Sequence, residues 1–282
     1  MLNDKKTYTQ EELAQLHDVL YDILAELIRV CKILKIPYFL QGGSAIGAFY
    51  EQGILPWDDD IDVGMIRSDY ERFLKEAPKH LRDGYFLQWY GSEPHFPMGI
   101  AKLRKDGTLF VDKDFANLQM HQGIFIDIMA YDKVPDNKTI QLLHRKTLCV
   151  IYMFLYGTEL WWWTHLRKPN VEHPADKLSF MCILVFIVTS LFPKHSLYKI
   201  YIFACKLFNN ANFTYYNQAK ESRDHISVDS LKKLQCVPFG PLFVNVPDNL
   251  EAYLKHHYPN IRKDLPESEH TNHYPRILSF HS

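Results

Sequence analysis

Four aspartates fall within five positions of PWDDDIDVG, at residues 58–62, and apolar residues follow at once. Like charges packed this closely repel, so the segment needs solvent, a cation or a bound ligand to offset them. Pro56 and Trp57 discourage a helix, and Ile61 and Val63 alternate with the acids, which predicts a β-strand over 57–63. Alternate strand side chains share a face, so Asp58, Asp60 and Asp62 point one way and Asp59, Ile61 and Val63 the other. Same-face neighbours lie roughly 7 Å apart. Asp60 and Asp62 can therefore converge on one divalent ion, or hold two about 3.5–4 Å apart. Asp58 is about 13 Å from Asp62 on a straight strand and ranks below them unless the strand bulges. Hard oxygen ligands of this kind suit Mg²⁺ or Mn²⁺. The plain alternative is a solvated acidic edge strand, which sits poorly with the apolar opposite face. Another is an EF-hand-like calcium loop through Asp58, Asp60, Asp62 and Asp69. Val63 stands where that loop needs glycine, and Pro56 spoils its incoming helix.

Two flanking stretches extend the pattern. QGGSAIG, 41–47, follows a short strand, YFLQ, and opens a helix. Gly42 and Gly43 let the backbone approach a ligand closely, and a helix N-terminus offers N–H groups to an anion. Ser44 either caps the helix or touches a phosphate. Alone this is an ordinary turn; its weight comes from standing fourteen residues before the acidic strand. In IFIDIMAY, Ile124, Ile126 and Ile128 face one side and Phe125, Asp127 and Met129 the other. A lone Asp in such a strand needs a partner: an arginine, a backbone cap, or the same metal ion.

The chain has 282 residues, net charge −1 and a sequence pI near 6.9, so no global field recruits nucleic acid. Thr9 and Glu12 have capping-box spacing and open an amphipathic helix through Leu34, with Pro37 beyond it. Ser68 is the expected cap of a second helix, Asp106–Gly107 the turn of a hairpin, and 123–132 a strand. Residues up to 135 thus read as mixed α and β. Residues 138–210 read as helical, apolar and aromatic, with WWW at 161–163. The uncharged run 178–192 spans about 22 Å as a helix, short of the roughly 30 Å hydrocarbon core. It suits a buried hairpin, or an interfacial one with the tryptophans at headgroup level, better than a membrane span. Residues 237–247 are too proline-rich for a central strand. Five widely spaced cysteines and a polar N-terminus without a signal-peptide pattern favour a reducing cytosol.

GGSAIGAFYEQGILPWDDDIDVGM and GIFIDIMAYDKVPDN together resemble the LicD family of phosphorylcholine transferases, within the nucleotidyltransferase superfamily, whose fukutin-like relatives transfer polyol phosphates. VPFGPLFVNVPDNLEAYLKHHYP is similar to that family's closing segment. The resemblance covers roughly 36–135 and 236–282. It implies an α+β fold, with a nucleotidyltransferase-like mixed sheet flanked by helices over 1–135. A helical, aromatic-rich insertion would occupy 136–235, and 236–282 would pack back on the core. It implies metal binding by Asp58, Asp60, Asp62 and Asp127, catalysis by Asp60, Asp62 and Asp127, and donor-phosphate contacts from Gly42, Gly43 and Ser44. Many members carry an Arg-His pair after GA; here Phe49 is followed by Tyr50 and Glu51 at the pair itself. Arg67, Lys102, Arg104 and Lys105 are candidate replacements.

The implied reaction is Mg²⁺- or Mn²⁺-dependent transfer of phosphocholine from a CDP-choline-type donor to a sugar hydroxyl. The acceptor would be a lipid-linked or surface glycan of lipopolysaccharide or teichoic acid type. Trp57, Trp89 and Tyr90 could pack around a quaternary ammonium or be core. Two alternatives stand beside it: a polyol- or glycosyl-phosphate transferase, and a catalytically silent, membrane-associated glycan-binding protein. The expected place is the cytoplasm, with peripheral contact at the inner face of the membrane on the interfacial reading.

Overall fold

The first helix, α1 (Gln10–Leu34), begins where the sequence places it. Thr9 Oγ accepts from the Glu12 N–H at 3.1 Å, and the Glu12 carboxylate accepts from the Thr9 N–H at 2.9 Å. The computed structural model describes residues 7–113, 115–116, 118–161 (backbone alone for 156–161), 193–218, 225–260, 262–263, 270 and 272–281. α1 ends at Lys35, in the left-handed region at φ 52°. Leu16, Leu20, Ile23, Leu24, Leu27 and Val30 form its wholly buried stripe. Each such side chain contributes roughly 1.5–3 kcal/mol of burial. The stripe shares one core with Val63, Met65, Leu103, Ile126 and Ile128 of the sheet.

That sheet is mixed, and the fold is α+β. β1 (Phe39–Leu40), β2 (Asp62–Ile66), β6 (Phe125–Val134), β4 (Ala101–Lys105) and β3 (Tyr85–Gln88) lie in that spatial order. β6 is its spine. On one side it pairs parallel with β2. On the other it pairs antiparallel with β4 over Phe125–Ile128 and with β7 (Tyr215–Gln218) over Tyr131–Val134. β8 (Ile226–Ser227) extends β7. Helix α2 (Gly42–Tyr50) joins β1 toward β2, and α3 (Arg67–Glu76) follows β2 directly. α4 (Lys138–Trp161) and α5 (Lys194–Lys206) pack through Leu148, Leu155, Tyr201 and Cys205.

Several expectations need correction. The acidic strand starts at Asp62, and residues 58–61 form a loop. Asp58 N–H closes a turn onto Leu55 O at 3.0 Å, and Asp59 N–H turns to Asp58 Oδ1 at 3.2 Å. These local bonds compete with strand pairing. Ser68 lies inside α3, where Ile66 holds the cap position. The Asp106–Gly107 turn forms, with Gly107 at φ +71°. However, β5 (Leu109–Val111) does not return along β4, whose two edges are taken by β3 and β6. It pairs with β11 (Ile277–Ser279).

β7 shows that 136–235 also contributes to the sheet. The run 178–192 and Trp162 and Trp163 lie outside the described residues. β9 (Gln235–Phe239) and β10 (Leu242–Val246) form a separate hairpin that carries Pro238 away from the main sheet. α6 (Val228–Lys232) precedes it, and α7 (Leu250–His257) follows under an Asn249 cap. Among the described residues, no helix is long and apolar enough to cross a membrane.

Glu26, wholly buried on α1, joins this helix to the loop before β3. Arg29 Nη2 and Arg82 Nε each approach it to 2.6 Å. Burial pushes its carboxyl up, but the two guanidiniums outweigh burial and hold it at about 2, below its usual 4.5. A depressed acid stabilises the fold above its unfolded pKa and loses that stabilisation as pH falls through the folded one. Glu26→Gln is expected to lower unfolding free energy at pH 7 by about 1–3 kcal/mol. The gap from the parent protein should close between pH 4.5 and about 2 in urea titrations followed by circular dichroism.

Candidate active site

The parallel register of β2 and β6 sets Asp62 beside Asp127. The Asp127 N–H donates to Ile61 O at 2.9 Å, and the Gln41 N–H to Asp62 O at 3.2 Å, so the C-terminal end of the acidic segment is stitched to neighbours on both sides. Ser44 Oγ accepts from the Asp62 N–H at 2.8 Å. Ser44 therefore ties α2 to the acidic strand, while Gln41 holds the cap position without a side-chain cap bond. Gly42, at φ +55°, and Gly43 press against the acids. A Cβ on Gly42 would lie 3.1 Å from Asp62 Oδ2, and one on Gly43 would lie 2.5 Å from Asp58 Oδ2. The loop is pinned from α1 by His17, whose Nε2 lies 2.8 Å from Asp58 O.

Asp58, Asp60, Asp62 and Asp127 thus lie near enough to act on one another's charge, Asp58 and Asp60 from a loop, although no three of the four bring ligand atoms within 4.8 Å of one another. Burial, then Asp60 and Asp59, push Asp58 up to about 8. Burial, then Asp127 and Asp59, push Asp60 up to about 6. Asp62 is raised well above the carboxylate range by burial and then by Asp60, Asp127 and Asp58. Mutual repulsion of this strength needs positive charge nearby.

Lys102 on β4 supplies some of it, its Nζ 2.6 Å from Asp127 Oδ1. Burial lowers the Lys102 pKa. Of the other cations singled out, Arg67 is held by Asp132 at 2.6 Å, and Arg104 donates to Gln88 and to Gly123 O. Lys105 pairs with Asp22. Each of these three has polar partners other than the clustered aspartates, although Arg104 shares the Lys102 face of β4. Asp69 is bonded by Arg72 on α3, apart from any calcium loop.

Asp59 has a different role. It is buried, and its Oδ2 accepts from Tyr8 Oη at 2.8 Å and from the His273 N–H at 2.6 Å. One ligand atom each from Asp59, Asp60 and His273 lie within 4.8 Å of one another. Asp59, countering burial, holds the His273 ring up to about 9. His270 stacks on Trp57 with ring centroids 3.6 Å apart. The structure thus sets both histidines against the acidic loop. No local pattern signals a contact across more than 200 residues. Lys102 was more legible: Lys102 and Arg104 alternate with buried Ala101 and Leu103, which marks a polar row facing Asp127.

An acid raised by burial and repulsion destabilises the fold while ionised and stops doing so once protonated in both states. Asp60→Asn is therefore expected to stabilise the divalent-free protein by about 1–3 kcal/mol above pH 6. The gain should vanish as pH falls toward 3.8, the ordinary value. Thermal melts with chelator across that range would read it, and a destabilised variant at pH 8 would contradict mutual repulsion.

Residues 35–155 match the family described as LicD/FKTN/FKRP, nucleotidyltransferase domain. Over 130 residues the chain is 34% identical to the lipopolysaccharide cholinephosphotransferase LicD of Haemophilus influenzae, covering 43% of this chain and 45% of that protein. It is 25% identical over 118 residues to an uncharacterized protein of Rickettsia prowazekii, covering 42% of this chain and 41% of that one. A second uncharacterized protein, from Rickettsia typhi, is 32% identical over 69 residues, or 24% of this chain and 22% of that one. The chain thus spans less than half the length of each of these relatives. With Asp58, Asp60, Asp62, Asp127 and the Gly42–Gly43 turn all inside the matched range, the chain carries a LicD-family domain.

Proposed function

We propose that the chain is a metal-dependent transferase with a nucleotidyltransferase-like core. It moves phosphocholine from a CDP-linked donor to a sugar hydroxyl of a surface glycan of lipopolysaccharide type. The observation that carries this reading is the pairing of Asp62 with Asp127, with Asp62 and Asp58 set against Gly42 and Gly43 and with Asp60 close enough to feel Asp127. The substrate comes from the name of the Haemophilus relative.

The donor set is all carboxylate oxygen, its pKa values raised by burial and then by mutual repulsion, which a cation would offset. These residues fit Mg²⁺ or Mn²⁺. Asp60, Asp62 and Asp127 would hold it, with Asp58 beside them. Bound there, the ion would neutralise charge on the donor pyrophosphate and on the phosphorus under attack. The chain's own groups do the rest. Backbone N–H groups in the first turn of α2 face donor phosphate oxygens. Lys102 fixes the Asp127 carboxylate, and Asp127 takes the proton of the attacking hydroxyl. The acceptor oxygen bonds to the phosphorus bearing choline as the bond to CMP breaks.

A polyol- or glycosyl-phosphate donor would use the same centre, and a panel of CDP and UDP donors separates these. A silent binding protein has no use for mutually repelling acids, which disfavours that reading. Leu143 and Met153 on α4, Phe203 on α5 and Leu207 just past its end are more than half exposed. Such a surface suits peripheral contact with a membrane carrying a lipid-linked acceptor.

With radiolabelled CDP-choline, acceptor glycan and Mg²⁺, label is expected in the glycan. Chelator should stop the transfer and Mg²⁺ restore it. Asp60→Asn is expected to lose at least about 1,000-fold in rate while keeping its fold; a folded, fully active variant sinks the mechanism. Co-sedimentation with anionic vesicles at low salt is the expected sign of membrane contact, and its absence removes that part alone.

A further inference from the structure

Asp127 also borders a cleft of about 200 Å³ outside the carboxylate cluster. β6 contributes Asp127 and Met129, the segment before β4 contributes Met98 and Gly99, and α4 and α5 contribute Tyr152 and Tyr201. The two tyrosine rings have centroids 5.7 Å apart and planes inclined by 51°. Gly99 packs against both: a Cβ there would come within 2.8 Å of the Tyr201 ring and 3.2 Å of the Tyr152 ring.

Inclined aromatic faces, polarisable thioethers and a carboxylate together attract one kind of group, a large and weakly hydrated cation. The ring quadrupole and the carboxylate favour the charge, while the methyl groups around the nitrogen meet apolar surface. The size agrees, since an apolar cavity of roughly 150 Å³ holds a benzene ring. Arg67 also lines the cleft, yet it does not set the local sign. Asp132 takes its guanidinium through two oxygens, at 2.6 and 3.0 Å, so that pair is neutral. Asp127 is itself paired with Lys102 at 2.6 Å, so the surplus of negative charge lies with the acids that crowd that pair.

The aromatic residues that the sequence suggests for this task are engaged elsewhere, Trp89 being packed against the main core. Trp57 is stacked on His270. Tyr90 stacks on Tyr198 at 4.1 Å, and Lys194 Nζ lies 5.4 Å from its ring centroid, where it would repel a second cation.

We propose that this cleft receives the trimethylammonium end of the choline group whose phosphate lies at the carboxylate centre. The assignment rests on the phosphocholine reading above. Two carbons separate the choline nitrogen from its phosphate oxygen, so a headgroup site must adjoin the reacting phosphorus. Asp127 belongs to both places.

The test is the ratio of kcat/KM for CDP-choline to that for CDP-ethanolamine, whose primary ammonium is small and strongly hydrated. Tyr152 is half-buried, so its replacement leaves the deep core intact. Tyr152→Leu is expected to cut the ratio about tenfold, from loss of one cation–π face. Tyr152→Phe, which keeps the ring, should hold the ratio of the parent protein. Gly99→Ala, whose methyl group would push on both rings, should lower it in the same direction. An unchanged ratio in both Tyr152→Leu and Gly99→Ala, with CDP-choline still used, overturns the cleft assignment alone. A parent protein that turns over other CDP donors but not CDP-choline overturns the phosphocholine reading and the cleft assignment with it.

Discussion

Parallel pairing of β2 with β6 is the constraint from which the site follows. Its register places Asp62 against Asp127 and, one residue on, Val63 against Ile128. Side chains alternate across a sheet, so the same register that turns the acids to one face turns Val63, Met65, Ile126 and Ile128 to the other, under α1. A slip of one residue would expose that apolar set and drive the acids into the core. Burial of the α1 stripe, a nonspecific force, thereby enforces the position of specific chemical groups on the opposite face.

The acids are held at a cost, and the chain distributes it. Three of the four clustered aspartates, together with Asp127, take up raised pKa values or an ion pair with Lys102. The fourth, Asp59, stays beside Asp60 but serves the scaffold, accepting hydrogen bonds from Tyr8 and His273. Tyr274 reinforces that strap by packing on Tyr8 with centroids 4.6 Å apart. The acidic loop is thus gripped by both ends of the described chain and from α1 through His17. Such anchoring resists the repulsion that would otherwise splay the carboxylates.

Much of this could be read in the residues. The Thr9–Glu12 box, the α1 stripe, the β6 alternation and the glycine turn are local patterns, and each sits where the pattern puts it. The expected division of the aspartates by strand face does not hold as drawn, since residues 58–61 are a loop and a ligand atom of Asp59 lies within 4.8 Å of one of Asp60. What the residues hid is non-local. The strand begins later than alternation suggests because turn bonds at Asp58 and Asp59 outcompete pairing. β5 leaves β4 because β4 is already flanked on both edges. The cation at Asp127 could be narrowed to four candidates, and only strand order chooses Lys102 among them.

Anomalous diffraction from crystals soaked in Mn²⁺ bears most directly on this arrangement. If the carboxylates form a single centre, one strong peak appears roughly 2.0–2.4 Å from oxygens of Asp60, Asp62 and Asp127. Peaks confined to other residues, with these three side chains turned apart, would show that the acids serve no common ion.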